Sequence, residues 1–178
     1  MSQSALNLDL KYYGISPWEI EVIYGLFNEM FQVKETELEE IDSDFVSLIE
    51  LSIPLQFNEE FFQWFGYKRW DKVKAFFKEL KRRRGKGKAI KIDLNFAGAP
   101  NIKFVVNTDE RLWFNNAIEK IDFILELLPY HLAPEKIPHN TNEVIYEFDP
   151  QVARWRLQTA ISNHQKYVIS NEGWKPVS

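Results

Sequence analysis

Apolar positions recur along this chain with two periods, and each change of period marks an element. In "ISPWEIEVIYGLFNEMF" the residues Ile20, Ile23, Leu26, Phe27, Met30 and Phe31 recur as on one broad helical face. Ser16 precedes that run as an N-cap, Pro17 takes the first helical position, and Glu19 completes a capping box. A helix is therefore predicted from Pro17 to about Phe31. The polar, acidic run over residues 34–44, with Glu35, Glu37, Glu39, Glu40, Asp42 and Asp44, reads as a connector. Phe45, Ser47, Ile49, Leu51 and Ile53 then alternate up to Pro54, as in a strand. A helix is the alternative there, because Leu48 also falls at helical spacing.

Asn58 is placed to cap a short helix in "EEFFQWFG" that breaks near Gly66. Trp70, Val73, Phe76, Phe77 and Leu80 continue with helical spacing, and Gly85 and Gly87 are natural stops. Ile90, Ile92, Leu94 and Phe96 alternate with Lys91, Asp93 and Asn95; across the turn "AGAPN", Ile102, Phe104 and Val106 complete a hairpin. From Asp109 to Leu128 the pattern predicts one long helix with two apolar stripes. Phe114, Ile118, Ile121, Leu125 and Leu128 form the first, and Leu112, Phe123 and Leu127 the second. A helix apolar on most of its circumference is sandwiched within its domain or covered by another chain. Val144, Tyr146 and Phe148 suggest a further strand, Asp149–Pro150 the start of a short helix, and "QKYVIS" a last strand. The tail over residues 171–178 reads as loose, apart from Trp174.

This order predicts a single α+β domain over residues 1–178, with a mainly antiparallel sheet of about four or five strands and helices packed on one face. The chain has 178 residues, 45% hydrophobic and 15% aromatic, enough for one core and short for two. Without cysteine it has no disulfides, thiol nucleophile or cysteine-bound metal. No apolar run is long enough for a membrane helix and no export signal precedes the first element, so the expectation is a cytoplasmic protein without membrane contact. The net charge of −4 offers no general attraction to nucleic acid.

Candidate chemistry is sparse. The basic segment Lys81, Arg82, Arg83, Arg84, Lys86 and Lys88 has two readings: phosphate contacts, or cations placed at a helix C-terminus by its dipole. It lacks the glycine spacing of a nucleotide-binding loop. His131, His139 and His164 are too scattered for a metal motif, and no catalytic serine signature is present, so no cofactor, metal or catalytic residue is assigned. Asp93, Asn95, Glu143 and Glu147 form a polar set that qualifies as a catalytic surface only if a pocket gathers at least two of them. The leading expectation is a non-enzymatic domain that binds another protein or a second copy of itself. Leu112, Phe123 and Leu127 are its anchors, with Phe62 as a further candidate. A nucleic-acid-associated protein using the 81–88 segment is the alternative.

Overall fold

The computed structural model describes residues 6–39, 44–86 and 89–177. Its first half runs β1 (Asn7–Tyr13), α1 (Pro17–Phe27), β2 (Gln32–Glu37), β3 (Ser47–Ile53), α2 (Glu59–Phe65), α3 (Tyr67–Arg84) and β4 (Ile90–Phe96). There follow β5 (Asn101–Val106), α4 (Arg111–Glu119), a 3₁₀ segment (Asp122–Glu126) and α5 (Leu128–His131). The chain ends with β6 (Thr141–Asp149), β7 (Arg154–Ser162), β8 (Gln165–Ser170) and β9 (Gly173–Val177). Among the described residues the strands form one sheet of nine, in the order β2-β1-β3-β4-β5-β6-β7-β8-β9.

The mixture of helices and sheet agrees with the expected class, but the sheet has nine strands where four or five were expected. Each unforeseen strand has a physical reason. β2 overlaps the start of the expected acidic connector; at the sheet edge its residues stay exposed or half-buried, so no apolar alternation marks it. In β7, Ile145 pairs with Thr159 and Tyr146 with Leu157, so Gln158 is an extra residue that breaks the alternation. β9 occupies most of the tail expected to be loose, paired to β8 and tied down by the Trp174 indole donating to the Lys136 carbonyl at 2.7 Å. β1 precedes the first helix, with Leu8 and Leu10 fully buried. The Asp149–Pro150 segment forms a turn into β7, where the Asp149 carboxylate accepts from the Gln151 amide at 3.0 Å.

The long helix expected from Asp109 to Leu128 is three shorter pieces. After Glu119 the winding tightens, with Phe123, Ile124 and Leu127 donating three residues back to Lys120, Ile121 and Ile124. The Asp122 carboxylate accepts from the Trp70 indole and the Lys74 ammonium, each at 3.3 Å, which holds this segment against α3.

Register partners place Leu10, Leu51, Leu94, Phe104, Tyr146 and Leu157 on one face of the sheet. That face joins Ile23, Phe61, Trp70 and Phe114 from the helices in one core. Parallel neighbours β1/β2, β3/β4 and β5/β6 are each joined through helices on this face. Following strand direction, the first two crossovers share one hand and the third takes the other. The three crossovers therefore lack the uniform handedness usual for such units, and the third carries the 120–132 segment towards β7. Among the described residues the opposite face of the sheet bears no helix.

Candidate functional site

The helical layer does not extend over the whole sheet, and a groove opens beside the 3₁₀ segment. Phe123, Ile124, Leu127 and His131 form one wall; Trp155 and Leu157 of β7, with Ile169 of β8, complete the apolar lining. Its volume is about 770 Å³. Phe123 is 61% exposed and Leu127 43% exposed, high values for side chains of this size. Lys120, Arg154 and Arg156 also line the groove and give it a cationic rim. Lys120 donates to the Ala153 carbonyl at 2.9 Å, and Arg156 lies 3.2 Å from the Asp149 carboxylate.

His131 is the polar exception on the apolar wall. Its Nδ1 lies 3.0 Å from the hydroxyl of fully buried Tyr146. Burial, reinforced by nearby Lys136, lowers the His131 pKa, and burial raises that of Tyr146, so the pair is predominantly uncharged at neutral pH. The groove therefore combines apolar walls, one neutral hydrogen-bonding pair and positive charge at its margin.

Of the four residues read as contact anchors, only Phe123 and Leu127 meet here. Leu112 is exposed on α4 but does not line the groove. Phe62 is corrected outright: it is fully buried, its ring 5.3 Å from that of Trp70 and 5.5 Å from that of Phe57. Arg154, Trp155, Arg156 and Leu157 escaped the sequence reading because they follow a turn taken for a helix start. The signal available was the alternation of Trp155 and Leu157 before the bulge.

Two members of the basic segment, Lys81 and Arg84, are folded into the protein, while Arg82, Arg83 and Lys86 are exposed. Lys81 is fully buried, its ammonium 5.8 Å from the centroid of the Phe114 ring; burial pulls its pKa down against the attraction of Asp109. Arg84 grips Glu19 through Nη1 and Nη2 at 2.9 and 2.8 Å, and donates through Nε to Ser47 Oγ at 2.7 Å and through Nη2 to the Gly14 carbonyl at 3.1 Å. Gly14 is required at that point: its φ is +66°, and a Cβ would lie 2.2 Å from the Val46 carbonyl oxygen. Neither Lys81 nor Arg84 is therefore presented as a phosphate contact. Arg82 pairs with Glu79, with Nε 2.8 Å from the carboxylate, and Arg83 lies 3.7 Å from Glu19. Lys86 is exposed. Lys88 lies outside the described residues.

Glu19 is the hinge of this cluster. The Arg84 guanidinium, with help from Ser16, holds its carboxyl at about 2, far below the ordinary carboxylate range. The carboxylate also accepts from the Ser16 backbone at 3.0 Å, so the predicted capping box and the arginine grip are one network.

The polar set lies on the helix-free face. Asn95 and Glu143 line a depression of about 400 Å³ there, while Glu147 lies outside it. Asp93 shares this face, is 4% exposed, and has an Oδ1 without a hydrogen-bond partner among the described residues. Burial raises its pKa, and Lys91 and Lys103 oppose that shift. Among the described residues no three metal-ligating side chains of His, Asp or Glu converge, and no helix is long and apolar enough to cross a membrane. No protein-family model matches the chain, and no curated protein or solved structure is significantly similar to it.

Proposed function

We propose that this is a protein-binding domain whose docking site is the groove between the 120–132 segment and β7–β8. The observation that carries the reading is the pairing of exposed Phe123 and Leu127 across from Trp155 and Leu157 in one concave, apolar surface. Aromatic and aliphatic anchors in a pocket dominate the energetics of protein contacts. The cationic rim selects the partner: an apolar segment flanked by aspartate or glutamate. A two-fold contact centred on the groove would bring two cationic rims together, which charge repulsion disfavours.

Peptide display against the intact protein tests this. The expected selection is peptides that join aromatic or aliphatic residues to carboxylates. Their affinity, followed by fluorescence anisotropy, should fall about tenfold or more in Leu127→Asp and in Arg154→Glu, a loss of about 1.4 kcal/mol or greater. Leu112→Asp, outside the groove, should bind normally. Selection of basic peptides, or equal binding by all variants, sinks the reading. So does sedimentation that reveals a dimer abolished by Phe123→Asp and Leu127→Asp, because the groove would then serve a second copy. The nucleic-acid alternative would have to rest on the more exposed cations of the basic segment, since Lys81 and Arg84 are spent inside the fold.

A further inference from the structure

One side chain in the groove has its hydrogen-bonding role fixed from beneath. We infer that His131 is the specificity-determining donor of the groove: its Nε2–H takes a main-chain carbonyl of the bound segment, and the Tyr146 hydroxyl is the positioning group that keeps the proton there. This rests on the groove being the docking site.

The arrangement begins in the core. Tyr146 on β6 is fully buried, its ring 5.2 Å from that of Phe104 on the neighbouring strand, so its hydroxyl is held away from water. A buried hydroxyl needs an acceptor for its proton. Its one partner among the described residues is His131 Nδ1, at 3.0 Å. Were the proton on Nδ1, that nitrogen would donate to the hydroxyl oxygen and leave the Tyr146 O–H with nothing to donate to. Both groups are satisfied only when Tyr146 donates and Nδ1 accepts. In a neutral imidazole the proton then resides on Nε2. Nε2 has no partner among the described residues and is not sealed from solvent. Because His131 lines the groove, this N–H is open to a ligand there.

The other polar groups of the groove are committed or unselective. The Trp155 indole donates to the Ala117 carbonyl at 2.9 Å, Lys120 to the Ala153 carbonyl at 2.9 Å, and Arg156 to the Asp149 carboxylate at 3.2 Å. Gln158 carries both a donor and an acceptor on its amide, and Arg154 stands exposed at the rim. Nε2–H can only donate, so it rejects an ammonium or guanidinium and requires an acceptor. Against Phe123 and Leu127 the bound segment lays apolar side chains, and the acceptors it buries there are its own carbonyls. A buried carbonyl left without a donor costs free energy, so His131 favours segments whose backbone reaches it.

Long-range proton–nitrogen NMR correlation of the intact, nitrogen-labelled protein is the first test, with His131→Phe assigning the signals. At neutral pH Nδ1 should be the unprotonated nitrogen, and Tyr146→Phe should let the two tautomers mix. A display-selected peptide should shift the Nε2–H signal, and removing its carboxylates should leave that shift in place. By fluorescence anisotropy His131→Phe should weaken binding about fivefold, the worth of one neutral hydrogen bond. His131→Gln, whose amide nitrogen reaches the place of Nε2, should retain most of the affinity. A proton found on Nδ1 in the wild type overturns the inference, as does a shift that vanishes with the peptide's carboxylates. Equal binding by His131→Phe and wild type also overturns it, and if Leu127→Asp still weakens the peptide, the docking site itself stands. If Leu127→Asp has no effect, the docking site fails and the role of His131 fails with it.

Discussion

Two phenylalanines displaced from the main apolar stripes of their segments meet opposite fates. Phe62 on α2 is closed in by Phe57, Phe61, Tyr67 and Trp70, whereas Phe123 on the 3₁₀ segment stands largely in solvent. The basic residues of α3 invert the same expectation: Lys81 is buried and Arg84 is locked to Glu19, although both are charged. At these positions burial follows what lies opposite a side chain more closely than its own hydrophobicity. On α2, Phe62 meets Phe57 on one side and Trp70 of α3 on another, so even its off-stripe position finds neighbours. The 3₁₀ segment sits where the helical layer ends, so its second stripe finds none.

The contrast can be broken by substitution, and the largest effect belongs to Phe62. Phe62→Ala empties a fully enclosed site and should cost about 3–5 kcal/mol in chemical denaturation. A loss below about 1 kcal/mol would mean that the site is open or collapses freely. Arg84→Met leaves Glu19 buried without its principal partner and should cost about 3 kcal/mol. The pH dependence sharpens that prediction. The folded-state pKa of Glu19 is depressed from the ordinary 4.5 to about 2, so its stabilisation is complete above the ordinary value and is lost as pH falls towards 2. Wild type should lose stability across that window, and Arg84→Met should lack this part of the acid sensitivity. The smallest effect belongs to the groove: Phe123→Ser and Leu127→Ser should each change stability by no more than about 0.5 kcal/mol. If either destabilises as Phe62→Ala does, its exposure is not a feature of the folded protein in solution.

The local grammar of the chain was legible wherever one element determined its own ends. The Ser16–Glu19 capping box, the Asn58 cap and the Gly85 stop all follow from residues within a few positions of one another. The hairpin of β4 and β5 was readable because apolar residues recur at every second position in both strands, although polar Asp93 is buried as well. Strands that depend on partners distant in sequence were not. β2 is recognisable only beside β1, and β7 only once the bulge at Gln158 is seen against β6. Of the groove, Phe123 and Leu127 were visible as surplus apolar positions, but the surface facing them came from a segment read as a turn and a helix start.

Apolar period, caps and glycine stops therefore determined which stretches coil and which extend, because hydrogen bonds and side-chain periodicity act over a few residues. Only the tertiary structure decided the order of nine strands, the third crossover of opposite hand, and the retreat of the helical layer that leaves a groove beside β7. The same assembly put Lys81 in the interior and Phe123 outside. Those outcomes depend on which surfaces meet, and the free energy of a meeting resides in pairs of segments far apart along the chain.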